Sequence, residues 1–237
     1  MAQHSFQKSI RNAENGTSGF PRSYVSAPPA KIKALTGNRR KILQLLYSFP
    51  ASSVSRISRE VKLTPNTVKW HLNALKKWEF INEERVDNRS VFFPCNFLDQ
   101  SELQILTILN DESSSLIFRN VFYHPGTTQK EIREMLELTQ NTAGYFLRKL
   151  THMGAVEEKQ DGKFKHYYPS REIMKRLEER RKKSGDYAHS LVQRLSSDGV
   201  EVTELKILSD SFSFTLRHRK GEETIVFDSN PFRNVIA

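Results

Sequence analysis

Between Thr64 and Lys77 the chain reads Thr-Pro-Asn-Thr-Val-Lys-Trp-His-Leu-Asn-Ala-Leu-Lys-Lys. At about 100° per residue, Val68, Leu72 and Leu75 share one side of a helix. Asn66, Trp70, Asn73 and Lys77 face the other way, flanked by Lys69 and Lys76. These are base-reading residue types. An Asn amide pairs with two groups of adenine, a Lys ammonium reaches guanine or a phosphate, and Trp70 can touch a thymine methyl or a sugar. Thr64 reads as the cap and Pro65 as the first helical residue, where a missing N–H costs nothing. The N–H groups at such a start can also hold a phosphate. Arg85 and Arg89, just downstream, add cations for a nucleic-acid backbone. A polar outward face is equally what a solvated helix shows, so the surroundings decide. His71, at the edge of the buried stripe, reads as a packing or phosphate residue rather than a ligand, and Trp78 and Phe80 as core or interface.

The surroundings are basic. The 237 residues hold 37 Lys and Arg against 27 Asp and Glu, a net charge of +10, which favours an anionic partner, nucleic acid before an acidic membrane. Residues 1–37 carry +4, 38–100 carry +5, 101–169 carry −1 and 170–237 carry +2. One cysteine, Cys95, excludes an internal disulfide and a multi-thiolate zinc site. The seven histidines show no ligand spacing, so no metal and no cofactor is expected. No phosphate-binding loop, dinucleotide fingerprint or nucleophile–base motif is present, and an enzyme is not expected. No apolar run approaches the roughly 20 residues of a membrane span, and the first residues lack a signal-peptide core. The expectation is a soluble, cytoplasmic protein.

Residues 1–30, rich in Ser, Asn, Gly and Pro, read as a disordered basic tail whose Arg11 and Arg22, with Lys31 and Lys33 beyond it, could touch phosphates. Shifting the chain by 75 residues then lays 42–94 over 117–169 without a gap, with eleven identities in 53 positions. Six fall between 63 and 75, where LTPNTVKWHLNAL lies over LTQNTAGYFLRKL. The flanks agree in kind, from Pro50 over Pro125 to FFP over YYP. One small domain occurs twice.

The first copy predicts a helix over Arg39–Phe49 stopped by Pro50, a short helix capped by Ser53, the helix capped by Thr64, and a hairpin. The hairpin strands would be 80–86 and 90–93, turning at Asp87-Asn88-Arg89. That order is a winged helix-turn-helix. The second copy predicts helices over Ser115–Tyr123, Thr128–Leu136 and Thr139–Met153, then a hairpin turning at Asp161-Gly162. The stretch from Ile42 to Ile81, with its Leu-Thr-x-x-Thr-Val-x-x-His-Leu-x-x-Leu signature, resembles the winged-helix core of ArsR- and MarR-type transcription regulators. The second copy resembles it more weakly, with Ala143 for Val and Phe146 for His. The resemblance covers about 35–170 and implies a tandem winged helix-turn-helix regulator, by our guess archaeal, that binds double-stranded DNA. The first domain would do the reading. The second would assist through Gln140, Asn141, Tyr145 and Arg148, with Lys159, Lys163 and Lys165 on its wing. The other reading is a scaffold whose winged helices dock protein partners in a transcription or replication complex.

The expected fold is α+β. Winged helix-turn-helix 1 takes residues 31–96, a linker helix with winged helix-turn-helix 2 takes 97–170, and 171–237 form C-terminal helices and a three-stranded meander. Residues 180–183 read as a solvated helix end, broken at Gly185. The linker stripe Leu103-Leu106-Leu109 and the meander (Phe212, Phe214, Leu216, Ile225, Phe227) are apolar faces in need of cover, the meander's from helix 186–197, a second subunit or the second copy. They suggest a homodimer presenting two copies of domain 1 to a roughly palindromic site, and leave room for an effector.

Overall fold

The computed structural model describes residues 35–197, 199–218 and 221–236. The segment read as a disordered tail, with Arg11, Arg22, Lys31 and Lys33, lies outside the described residues, as does Lys220. The first unit runs α1 (Gly37–Ser48), α2 (Val54–Val61), α3 (Pro65–Lys77), β1 (Ile81–Val86) and β2 (Arg89–Pro94). Caps set the helix starts: the Ser53 hydroxyl accepts from the Arg56 N–H, and Thr64 accepts from Thr67. The hairpin turn is one residue shorter than expected. Arg89 already pairs with Val86, and Asp87 and Asn88 alone make the turn, both at positive φ (47° and 62°). Two successive left-handed residues, of the two non-Gly types that best tolerate it, match the strand twist.

The second unit runs α4 (Gln100–Leu109), α5 (Glu112–Tyr123), β3 (Thr127–Thr128), α6 (Gln129–Met135), α7 (Gln140–His152), β4 (Val156–Asp161) and β5 (Phe164–Pro169). From α5 onward it retraces the first unit at the 75-residue offset. The Ser52–Phe92 bridge recurs as Thr127–Tyr167, and the Ile81–Pro94 pair as Val156–Pro169. The hydroxyls of Thr64 and Thr67 are 2.8 Å apart, and so are those of Thr139 and Thr142. Lys62 and Glu137 both leave their short helices at positive φ. The second turn is Gly162-Lys163, which puts Lys163 at the hairpin tip.

After α8 (Arg171–Lys182) and α9 (Ser184–Ser196) come β6 (Val202–Ile207), β7 (Ser211–His218) and β8 (Gly221–Asp228), an antiparallel meander, then α10 (Pro231–Ile236). The meander has no core of its own. Phe212, Phe214 and Phe227 join Ile42, Leu46, Tyr47 and Phe97 of the first unit, with Leu191 and Leu195 of α9. Tyr47 stands edge-on to Phe97, Phe212 and Phe227 at 4.9, 5.7 and 5.0 Å between ring centres, arrangements each worth about 0.5–1.5 kcal/mol beyond burial. Arg40 pairs with Glu223 and Ser48 with Asp228 across the same seam. The linker stripe Leu103, Leu106 and Leu109 is buried in the second unit's core. Both faces expected to seek a second subunit are therefore covered within the chain.

Three further expectations need correction. Arg180 is not at a solvated helix end: its side chain is 1% exposed, paired with Glu102. Its Nη2 donates to the Phe97 carbonyl, and its guanidinium lies over the Phe97 and Tyr187 rings. The helix breaks at Lys183, not at Gly185, which lies inside α9. And α10 was not anticipated. Phe232 and Val235 enter the second unit's core, while Asn234 donates to the Ser48 carbonyl of α1 and Tyr123 to the Ile236 carbonyl. This short helix fastens both units together.

Candidate nucleic-acid interface

The buried stripe of α3 comprises Val68, His71, Leu72 and Leu75. Asn66, Lys69, Trp70, Asn73 and Lys77 stand together on the exposed face. Trp70, 60% exposed, is an unusual surface residue. The Arg39 guanidinium of α1 lies 4.9 Å from its ring centre and 5.1 Å from that of Trp78, so the indole is held in place by a cation–π contact. His71 is buried and its Nδ1 has no hydrogen-bond partner. Burial first, and the neighbouring Arg39 second, lower its pKa. It packs as a neutral ring. Lys76, expected as a reader, is paired with Glu83 of β1 and so braces α3 against the hairpin. Thr64 spends its hydroxyl on the helix cap.

Arg85 and Arg89 are both exposed, but the turn between them is not free. Val86 packs on the second unit's core, and the Asp87 carboxylate lies 3.2 Å from Lys149 on α7. The first hairpin is thus docked on α7.

On α7, Gln140, Asn141, Tyr145 and Arg148 are exposed, with Ala143, Gly144, Leu147 and Leu150 beneath. Gly144 stands where the first unit has Lys69. A Cβ there would lie 2.9 Å from Gln129 Nε2, which donates to the Gln140 carbonyl at 3.0 Å. The Gln129 side chain occupies the space of that Cβ, and this face lacks the cation that Lys69 gives the first unit. The Gln140 side chain accepts from Arg133. Lys165 pairs with Glu158 at 2.8 Å, a hydrogen bond and charge contact that raise its pKa, and Lys159 lies over the Tyr168 ring. Lys163 is exposed. The second face is poorer in unengaged charge than the first. Reasoning from the sequence missed Arg39, although the Arg39-Arg40-Lys41 run marked a basic start to α1.

Among the described residues, no group of three or more His, Cys, Asp or Glu could hold a metal ion, and no helix is long and apolar enough to cross a membrane. Among solved structures, ScpB from Mycobacterium tuberculosis aligns with 58% of this chain and 93% of its own at 11% identity, with a TM-score of 0.25, too slight a likeness to carry the fold. A protein of Methanocaldococcus jannaschii, described as an uncharacterized HTH-type transcriptional regulator, is 29% identical over 141 residues, 60% of this chain. The match spans 35% of that relative's length. Residues 35–81, which run from the start of α1 through α3 into β1, match the family described as winged helix-turn-helix DNA-binding.

Proposed function

We propose that the chain is a transcription regulator that binds double-stranded DNA through α3 and the β1–β2 hairpin, with α7 and its hairpin assisting and without catalysis. The observation that carries this reading is the exposed set Asn66, Lys69, Trp70, Asn73 and Lys77 above a buried stripe, in the segment that matches a DNA-binding family. A helix of this kind fits the major groove, and its N-terminal residues reach base edges. Asn66 and Asn73 would pair with bases, and Lys69 and Lys77 with guanine or phosphate. Trp70 would pack on a thymine methyl or sugar, and Arg85 and Arg89 would follow the backbone. Arg148 is the best base reader of the second unit, since a guanidinium meets guanine in two places. The 75-residue register of pairs and caps supports reading the chain as two tandem winged helices, in the manner of ArsR- and MarR-like regulators. The linker stripe and the meander face expected to hold a homodimer are covered within the chain, so a homodimer presenting two copies of α3 would pair through other surfaces. The test is titration of duplex DNA at several salt concentrations. Released counterions give a negative slope of log affinity against log salt, and absence of binding at low salt overturns the reading.

A further inference from the structure

A groove of about 980 Å³ opens where the first unit, the second unit and α10 meet. Four arginines line it: Arg56 and Arg59 of α2, Arg89 of β2 and Arg119 of α5. Spacing of three residues sets Arg56 and Arg59 side by side on their helix. Arg176 and Arg180, by contrast, are neutralised by Asp99 and Glu102. Here, among the described residues, the single ion pair is the long contact of Arg59 with its neighbour Glu60, at 3.5 Å. Arg56 spends Nη1 on the carbonyl and side chain of Asn110, and its Nε is buried without a partner. Arg119 spends Nε on the Val235 carbonyl. Burial, and the neighbouring Arg59, disfavour the charged form of Arg56 more than Glu60 restores it. A partly desolvated guanidinium with an unpartnered N–H, as at Arg56, is costly until an anion arrives.

We propose that this groove binds a small anionic molecule, a carboxylate or phosphate compound, clamped by Arg56, Arg59, Arg89 and Arg119. The planar forks of arginine match both anions through paired N–H bonds. The volume lies within the roughly 300–1,000 Å³ of ligand cavities. Asp111 and Glu112 line the same groove, which opposes a polyanionic duplex and suits a ligand that also carries hydroxyl or ammonium donors. The wall contains Arg89, so an occupied groove takes one cation from the first hairpin and weakens DNA binding. The site itself does not depend on the DNA reading.

The experiment uses the full chain, with sodium phosphate and sodium malonate as probes, titrated calorimetrically against sodium chloride at matched ionic strength. Saturable binding of at least one probe is expected. Arg59→Gln weakens it about threefold or more, and Arg59→Gln with Arg119→Gln about tenfold or more, each lost charged bond being worth about half a decade or more. Circular dichroism confirms that each variant is folded, and Arg59→Gln, which removes an exposed side chain, serves alone if the double variant is not. Heat indistinguishable from chloride, or variants that bind as the parent does, overturns the proposal. So does a result in which Arg59→Gln lowers duplex affinity while neither anion binds the parent, because the groove is then part of the DNA path.

Discussion

The Glu102–Arg180 pair decides how α8 is held, and its removal has a computable cost. Arg180 Nε donates to Glu102 Oε1 at 2.8 Å, Nη2 reaches the other carboxylate oxygen, and the side chains are 1% and 10% exposed. Glu102→Ala leaves a desolvated guanidinium facing one carbonyl and two aromatic rings, with Arg176 Nη1 only 3.9 Å from the vacated carboxylate. Breaking a buried pair from one side costs about 3–5 kcal/mol. Glu102 also accepts from the Asp99 N–H at 3.0 Å, so some of the loss is a helix cap, about 1 kcal/mol. At roughly 2–4 °C per kcal/mol for a chain of this size, the thermal midpoint falls by about 6–20 °C. Removing both charges, as Glu102→Ala with Arg180→Leu, recovers most of the penalty because no unpaired ion remains. Differential scanning calorimetry of the parent, both single variants and the double variant measures the coupling. A single Glu102→Ala loss under about 1 kcal/mol, or a double variant worse than the sum of the singles, refutes the argument.

On duplex binding, Lys69→Ala with Asn73→Ala should cost about 2–4 kcal/mol, more than Tyr145→Ala with Arg148→Ala; equal losses in fluorescence anisotropy would show that both helices share the duplex evenly. Asp99 is pushed up by burial, but the Glu102 N–H, the Arg176 guanidinium and the Ser101 hydroxyl together bring it from 3.8 to about 2. Its stabilisation is present above pH 3.8 and lost as pH falls toward 2, so acid unfolding followed by circular dichroism should lose part of its steepness there in Asp99→Asn. Phe232→Ala should cost about 3–5 kcal/mol in urea unfolding, because this buried ring anchors α10; a loss under about 1 kcal/mol would mean that α10 merely rests on the surface. Asp87→Asn, which keeps the tolerance of positive φ and removes the charge, should cost less than about 1 kcal/mol, the pair with Lys149 being largely solvent-exposed, and a larger value from the same unfolding curves would make that ion pair, rather than Val86, the anchor of the first hairpin.

Local signals carried far in this chain. Thr64, Pro65 and the Val68-Leu72-Leu75 stripe specify α3, because caps and helical periodicity act within a dozen residues. The 75-residue repeat carried over to the register of both hairpins. Side chains that choose a distant partner were not legible. Arg180 sits among charged neighbours and reads as surface, yet its counter-ion lies 78 residues away. The apolar stripes were recognised, and helix 186–197 was among the expected covers of the meander, but α1 was not, since periodicity names a face and not its cover. The α10 helix left a faint signature, Asn-Pro followed by Phe232, Val235 and Ile236, too short to stand out. Among the expected readers, Asn66, Lys69, Trp70, Asn73 and Lys77 emerged together on one face, whereas Lys76 proved to be engaged by Glu83 of the adjoining β1 and Lys165 by Glu158 across the second hairpin.

The covering of α1 by the meander also sets the order in which the molecule can be made. Arg40 waits for Glu223 and Ser48 for Asp228, separations of 183 and 180 residues. At synthesis rates of roughly 5–20 residues per second, α1 leaves the ribosome about 10–40 s before its cover. During that interval the first unit can form its helices and hairpin, but the ring of Tyr47 and the apolar side of α1 remain wet. A nascent chain in this state offers a sticky aromatic patch to chaperones and to its neighbours. A message cut short before the meander would yield α3 on an unsealed body, prone to aggregate. Folding speed is governed by the same long separation, since the loop must close before the aromatic cluster rewards it.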